Sequence, residues 1–161
     1  MDSAESFDIR RARSKPELTA TAALFRAYSQ SLAIDISYQG FEQELAALPG
    51  LYSPPGGELI LAKRGDHVLG CIALRPLEPP RIAEIKRLYV RSQVRRIGVG
   101  LALVMAAEDA ARTLGYTEIR LDTLPGMEEA VALCKRAGCA PIAPSGGHPY
   151  PGLVTLGKAL R

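Results

Sequence analysis

Tryptophan is absent from the 161-residue chain, and aromatic residues of all kinds make up only 6% of it. Proteins that bind single-stranded nucleic acids without sequence preference stack bases on aromatic side chains, which are scarce here. Positive charge is also limited, because 20 basic residues face 17 acidic ones and leave a net charge of +3. Both shortages argue against a nucleic-acid-binding protein, which usually presents a strongly basic face.

Cysteine and histidine are sparse as well. The three cysteines, Cys71, Cys134 and Cys139, show no C-x-x-C spacing, and the two histidines are His67 and His148. Structural metal sites use clustered cysteine and histidine ligands, so we expect no metal site in this chain. The odd number of cysteines indicates free thiols rather than a disulfide framework.

Long apolar runs are missing too. No stretch approaches the roughly 18 residues of a membrane-spanning helix, and the first residues lack the basic and apolar regions of a secretory signal. We therefore expect a cytoplasmic protein without a membrane partner. Hydrophobic residues make up 47% of the chain and charged residues 23%, as in an ordinary globular protein. The length predicts a single domain, 1–161, with its own hydrophobic core.

Turn signals and hydrophobic periodicity predict the secondary structure. Ser14 and Glu17 have the spacing of a capping box, with Pro16 in the first turn, so a helix should begin here. Further helices are predicted at 41–48, 98–114 and 127–137, and strands at 7–10, 58–63, 67–75, 81–90, 118–123 and 152–160. The order β-α-α-β-β-β-α-β-α-β is typical of an α/β domain with a mixed sheet.

Alternation along the strand at 81–90 predicts which of its side chains share a face. Glu84, Lys86, Leu88 and Val90 are two residues apart from one another, so we expect them on the same side of the sheet. Lys86 and its neighbour Arg87 are either solvated strand charges or part of a binding site for an anionic acceptor.

The segment between this strand and the next helix carries the strongest chemical signal. Residues 95–101 read RRIGVGL. Glycines let the backbone approach a ligand closely, and the free N–H groups of a helix's first turn bind phosphate. Alternatively, the glycines merely start a helix and Arg95 and Arg96 lie in solvent. The motif alone leaves both interpretations open.

Two better-known phosphate motifs are absent from the sequence. Without G-x-x-x-x-G-K-[ST], a nucleoside triphosphatase has no support. Without G-x-G-x-x-G after the first strand of a βαβ unit, a dinucleotide-dependent dehydrogenase is also disfavoured.

The segment resembles the acetyl-CoA signature of the GNAT N-acetyltransferase superfamily, R/Q-x-x-G-x-G/A. Arg95, Gly98 and Gly100 match it. The resemblance continues through EIKRLYV at 84–90, LDTL at 121–124 and AVALCKRAG at 130–138. Upstream, QGFE at 39–42, LPG at 48–50 and GCIALR at 70–75 are similar to a bacterial branch of small acetyltransferases. Together these segments cover most of the chain from about residue 16 onward.

The resemblance implies an acyl-CoA N-acyltransferase fold, with a mixed, mostly antiparallel central sheet flanked by helices. It implies an N-acetyltransferase that uses acetyl-CoA as cosubstrate and transfers the acetyl group directly to a primary amine in a ternary complex. The strand ending at Val90 should splay from the strand at 118–123, with the pantetheine arm in the gap. Relatives also suggest a homodimer. The implied cofactor-binding residues are Leu88, Tyr89, Val90, Arg95, Arg96, Ile97, Gly98, Val99, Gly100, Leu101, Asp122 and Thr123.

The resemblance also suggests candidates for proton transfer. Glu84 stands where related histone acetyltransferases carry their catalytic glutamate, although it could equally lie in solvent or pair with an arginine. The family usually supplies a tyrosine at the position of Cys134, so the acid that protonates the CoA thiolate is either Cys134 or a tyrosine such as Tyr150 or Tyr89. The thiol of Cys134 could also be a buried apolar group. Asp122 and Thr123 either line the acetyl side or cap a turn.

Two other functions stay open at this stage. A domain of this fold could bind acyl-CoA as a sensor or interaction module with little transferase activity. Nucleic-acid binding would have to explain the cluster of Arg87, Arg91, Arg95 and Arg96, and one pyrophosphate accounts for that cluster. The acceptor amine cannot be read from the sequence, because fold and cofactor do not determine the acceptor pocket.

Overall fold

The structure is a computed structural model that describes residues 6–32, 35, 40–77, 81–94, 97–124, 127–142 and 154–160. Four α-helices and seven strands lie within these ranges. The helices are α1 (Lys15–Ser31), α2 (Phe41–Ala46), α3 (Val99–Thr113) and α4 (Glu128–Arg136). The strands are β1 (Asp8–Arg11), β2 (Glu58–Arg64), β3 (His67–Pro76), β4 (Ile82–Val90), β5 (Glu118–Asp122), β6 (Ala140–Ile142) and β7 (Thr155–Ala159).

The seven described strands form one sheet in the order β1-β2-β3-β4-β5-β7-β6. The β4–β5 pair is parallel, and the other neighbouring pairs are antiparallel. The parallel pair is joined by α3, as a crossover between parallel strands requires. This confirms the expected mixed, mostly antiparallel sheet flanked by helices.

Local signals place the helix ends where the sequence predicts them. Ser14 and Glu17 form the complete capping box at the start of α1, each side chain accepting a hydrogen bond from the other residue's backbone N–H. Gly98 is the N-cap of α3 with φ +89°, and Gly115 follows its end with φ +94°. These backbone angles lie in the left-handed region that side chains disfavour, so both positions favour glycine.

The hydrophobic core lies where the sheet meets the helices. Leu24 and Phe25 of α1 and Leu103 and Ala107 of α3 are completely buried. β3 supplies Ile72 from the middle of the sheet. Because α3 packs on β2, β3 and β4, the N-terminus of α3 is held rigidly beside the end of β4.

One strand was not predicted from the sequence. β6 is only three residues long and contains Pro141, which lacks the N–H group that a central strand would use. β6 lies at the edge of the sheet and pairs with β7 alone, and this position tolerates proline. The predicted last strand at 152–160 corresponds to β7, and its first two residues fall outside the described ranges.

The prediction that Glu84, Lys86, Leu88 and Val90 share a face is wrong. Cys71 pairs with Tyr89 and Ala73 pairs with Lys86, so two residues of β4 lie opposite the single residue Ile72 of β3. This β-bulge shifts the alternation by one residue and places Tyr89 on the face of Glu84 and Lys86. Leu88 and Val90 are instead buried, with 6% and 7% of their surface exposed.

Candidate active site

The parallel strands β4 and β5 separate partway along their length. β5 pairs with the first three residues of β4, and the last of these contacts joins Glu84 to Arg120. β4 continues to Val90, whereas β5 ends at Asp122. The register therefore produces the V-shaped opening that the family resemblance implies between these strands.

The N-terminus of α3 has no side chain to cap it. The first N–H groups of a helix have no acceptor within the helix, and the N-cap residue, Gly98, provides no side-chain hydrogen bond. Apart from its chain neighbours, no described residue comes within 4 Å of a Cβ placed on Gly98, so these residues leave open space beside it. These donors, with the positive end of the helix dipole, form a site suited to phosphate.

Two cavities lie between the end of β4 and this helix terminus. A cavity of about 240 Å³ is lined by Leu88, Tyr89 and Val90 of β4 together with residues of α1 and α4. A cleft of about 630 Å³ is lined by Gly98, Gly100 and Leu101 of α3. The two share Val90, Glu129 and Leu133 as walls. The two cavities therefore adjoin, and together they form the groove between the β4 backbone and the helix terminus.

Gly100 has a different role from Gly98 within the motif. A Cβ on Gly100 would lie 2.5 Å from Leu133 Cδ1 of α4. The missing side chain therefore allows α3 and α4 to approach each other closely, which closes the far wall of the groove. Val99 faces the core with 1% of its surface exposed, and Ile97 also packs against the core.

The arginines near the groove are not all available to a pyrophosphate, in contrast to the interpretation of the sequence. Arg95 and Arg96 lie outside the described residues. The assignment of the whole arginine cluster to one pyrophosphate is wrong, because Arg91 Nε donates to the Val68 carbonyl 2.8 Å away and Arg87 is buried in an ion pair. Arg136, in the last turn of α4, lines the larger cleft instead. Arg136 lies 36 residues after Gly100 and on another helix, so the motif gave no local signal for this placement.

The buried ion pair between Arg87 and Glu44 stabilises the bulge in β4. Arg87 is 1% exposed and has a φ of +58°, an uncommon angle for a residue with a side chain. Its Nε and Nη2 each lie 2.9 Å from a carboxylate oxygen of Glu44. The guanidinium carbon also lies 5.5 Å from the ring centre of Tyr28 and 5.3 Å from that of Phe41. These contacts exclude the interpretation of Arg87 as a solvated strand charge.

Charged side chains cover one face of the three central strands beside the opening. Cross-strand pairing places Arg75 opposite Glu84 on β3 and Arg120 opposite Glu84 on β5. The Glu84 side chain is 12% exposed, and Arg75 Nε lies 3.6 Å from its Oε1. Burial raises the pKa of Glu84, while the charges of Lys86 and Arg75 oppose the shift. A carboxyl of this kind can take up a proton closer to neutral pH than an exposed one.

Lys86 stands on the same charged face and is half-buried. Burial, followed by the nearby charge of Arg87, lowers the pKa of its ammonium. Among the described residues, its ammonium has no hydrogen-bond or ion-pair partner. A half-buried cation without such a partner is a candidate for contact with a ligand.

The cysteine candidate for proton transfer does not reach the groove. Cys134 is completely buried in α4 and is absent from the walls of both cavities. A hydrogen bond with Cys139, together with burial, raises the pKa of the Cys134 thiol. The structure thus favours the interpretation of Cys134 as a buried apolar group. Tyr150 lies outside the described residues.

Asp122 and Thr123 bind to the neighbouring strand region. Thr155 Oγ1 donates to Asp122 Oδ1 over 2.6 Å, and the Val154 N–H donates to Thr123 Oγ1 over 2.9 Å. Neither residue belongs to the walls of the two cavities described above. Their contacts hold β7 against the end of β5, and a cofactor contact for them stays a prediction.

Comparison with known proteins identifies the family. The Acetyltransferase (GNAT) family matches residues 19–139. The chain belongs to this family. An uncharacterised N-acetyltransferase of Schizosaccharomyces pombe is 36% identical over 135 residues, which span 83% of this chain and 82% of that protein.

Solved GNAT structures share the fold. A GNAT acetyltransferase of Staphylococcus aureus superposes with a TM-score of 0.79 at 16% identity, covering 97% of this chain and 100% of that one. The PaiA N-acetyltransferase of Thermoplasma acidophilum, solved with coenzyme A, superposes with a TM-score of 0.72 at 18% identity and covers 96% and 99% of the two chains. The family, the fold and the enzyme class, an acetyl-CoA-dependent N-acetyltransferase, are therefore confirmed.

The described residues contain neither a membrane-spanning helix nor a cluster of metal ligands. No helix among them is long and apolar enough to cross a membrane. Within the same ranges, no group of three or more His, Cys, Asp or Glu side chains could hold a metal ion.

Proposed function

We propose that this protein transfers an acetyl group from acetyl-CoA, bound in the groove, to a primary amine that enters over the charged face of β3, β4 and β5. The observation that carries the proposal is the pair of adjoining cavities that reach from the β4 backbone at Leu88 to the N-terminus of α3, where Gly98 provides no side-chain cap. The groove has an anion site at one end and a strand backbone at the other. Acetyl-CoA has the matching order of a pyrophosphate, an amide-containing arm and a thioester.

Different residues would bind different parts of acetyl-CoA. The N–H groups of Val99, Gly100 and Leu101 would hold the pyrophosphate, with Arg136 nearby and Arg95 and Arg96 as expected contributors. The backbone of residues 88–90 would bind the pantetheine arm through its amides. Acetyl-CoA supplies the acyl group and the thiol leaving group. A backbone N–H at the bulge, near Leu88, would stabilise the oxyanion that forms on the acetyl carbonyl.

Glu84 would accept the proton of the attacking amine. It lies at the last β4–β5 contact, where the two strands begin to separate, and burial raises its pKa. A base must be unprotonated at working pH but still able to take a proton in the transition state, and a raised carboxyl pKa suits this role. Positioning of the amine and thioester in one groove provides a further large share of the rate.

The test of this function is release of free CoA thiol from acetyl-CoA in the presence of a panel of amines. Because Lys86 offers a half-buried cation on the acceptor side, the panel pairs each carboxylate-bearing amine, such as an amino acid, with its neutral amide. Polyamines, aminoglycosides and peptide N-termini complete the panel. We expect thiol release above the hydrolysis background with at least one amine and a matching acetylated product. Tight CoA binding with no release for any amine would support the sensor alternative instead.

The domain organisation, the cellular location and the oligomeric state are also proposals. We infer one domain over residues 1–161, since every described strand belongs to one sheet. A cytoplasmic location is supported by the three cysteines, all of which are free and buried, as is usual in a reducing compartment. A homodimer rests on family resemblance alone, and an equilibrium mass measurement would test it.

A further inference from the structure

Acetyl transfer needs an acid that protonates the departing CoA sulfur. The assignment of that acid rests on the proposed function. When the carbon–sulfur bond of the thioester breaks, the electron pair stays on sulfur, and the resulting thiolate takes up a proton. Cys134 is buried away from the groove. A proton donor is therefore needed at the end of the groove where Leu88 lies, because the thioester would bind there.

Among the described residues, hydroxyl groups at this end belong to three side chains that line the 240 Å³ cavity, Tyr28, Ser31 and Tyr89. The Ser31 hydroxyl already donates to the Tyr28 carbonyl over 2.7 Å. Tyr89 is half-buried. Tyr28, by contrast, is 4% exposed and is held in place by several neighbours.

The Tyr28 hydroxyl lies beside another residue of the cavity wall. The hydroxyl lies 4.0 Å from Met127 Sδ, and Met127 itself lines the cavity. The Arg87 guanidinium carbon lies 5.5 Å from the centre of the Tyr28 ring. Leu88, the residue after Arg87, faces the same cavity. The end of β4 and the end of α1 therefore bring the Leu88 backbone and the Tyr28 side chain to the same cavity. The Arg87 guanidinium, paired with Glu44, packs over the Tyr28 ring.

We propose that the Tyr28 hydroxyl is the acid that protonates the CoA sulfur. The amine nitrogen bonds to the acetyl carbon and loses a proton to the Glu84 carboxylate. The carbon–sulfur bond breaks, sulfur keeps the electron pair, and the proton of the Tyr28 O–H passes to sulfur. The phenolate is stabilised by the positive charge of Arg87 and recovers a proton through water, as Glu84 releases the one that it took. Atoms and charges balance to an amide and free CoA.

Burial and the guanidinium act on Tyr28 in opposite directions. Burial raises the pKa of the Tyr28 hydroxyl, the positive charge of Arg87 opposes that shift, and the negative charge of Glu44 adds to it. Tyr28 is therefore protonated at neutral pH, as an acid must be before it donates. The positive charge of Arg87 reduces the unfavourable free energy of forming a phenolate in a buried position.

The test uses bound CoA and needs no acceptor amine. The thiolate of CoA absorbs near 240 nm, so its ionisation in the complex can be followed by a pH titration of absorbance. The same titration with desulfo-CoA, which lacks the thiol, subtracts the ionisation of tyrosines. We expect Tyr28→Phe to raise the pKa of the bound CoA thiol by about one unit, the size typical of one lost hydrogen bond to a charged group.

Two further variants make the result specific. Tyr116→Phe removes a hydroxyl that donates to the Gly56 carbonyl, away from the groove, and should leave the titration of bound CoA unchanged. With an accepted amine, Tyr28→Phe should lower kcat about 100-fold or more with little change in KM for acetyl-CoA. The proposal is overturned if Tyr28→Phe binds CoA and titrates like the wild type, or if Tyr89→Phe alone produces the shift. Loss of CoA binding by the wild type would instead refute the proposed function.

Discussion

Replacing Arg87 with methionine should lower the free energy of unfolding by about 3–5 kcal/mol, the usual effect of breaking a buried ion pair from one side. The substitution removes both hydrogen bonds to Glu44 and leaves that carboxylate, 18% exposed, without its partner. It also removes the cation that lies over the rings of Tyr28 and Phe41. Denaturant unfolding measured at constant pH would report the loss.

A matched ion pair on the surface provides the control. Asp109 is 79% exposed and pairs with Arg112 on α3, so Asp109→Asn should cost less than about 0.5 kcal/mol. Combining Glu44→Gln with Arg87→Met should destabilise less than the sum of the two single changes, because the residues share one interaction. A loss below about 1 kcal/mol for Arg87→Met would show that the pair does not support the fold as the structure indicates.

Glu84→Gln should reduce kcat by about 100- to 1,000-fold at neutral pH, since a positioned general base contributes on this scale. The glutamine keeps the size of the side chain but cannot take up a proton. In the wild type the base works only when unprotonated, so kcat should rise with pH through the pKa of Glu84. Because burial raises that pKa, the rise should lie closer to neutral pH than for an exposed carboxylate.

The pH dependence of kcat distinguishes a general base from a carboxylate that contributes only its charge. Glu84→Gln should lack the rise that belongs to the carboxyl and retain only the one that belongs to the amine substrate. Glu118→Gln is the matched control, because Glu118 lies on β5 and pairs with Arg120. We expect its kcat to stay within about threefold of the wild type. An unchanged profile in Glu84→Gln would remove Glu84 from the mechanism and favour proton transfer through water.

The parts of the fold that the sequence predicted correctly depend on local interactions. The capping box of Ser14 and Glu17 and the left-handed glycines Gly98 and Gly115 each determine a helix end from a few adjacent residues. The acetyl-CoA signature is local too, since a helix N-terminus and its preceding turn are continuous in the chain. These features need no knowledge of what packs against them.

The parts that it missed depend on residues far apart in sequence. Arg87 takes a left-handed backbone angle without being glycine, and the ion pair that holds it there reaches 43 residues back to Glu44. The bulge therefore left no local signal, and the face predicted for Leu88 was wrong. Tyr28 likewise reaches the groove only because α1 packs against β4. Short edge strands such as β6 carry too few residues for a periodic pattern.

Calorimetric titration with acetyl-CoA tests the central claim that the groove holds the cofactor at the N-terminus of α3. Gly98→Trp fills the open space at the helix terminus, and Gly115→Trp makes the same change at a left-handed glycine with open surroundings at the other end of α3. Both variants carry a similar backbone strain. We expect the wild type and Gly115→Trp to bind equally and Gly98→Trp to bind at least about 100-fold more weakly, a loss of roughly 2.7 kcal/mol. No binding by the wild type, or equal binding by both variants, would contradict the account.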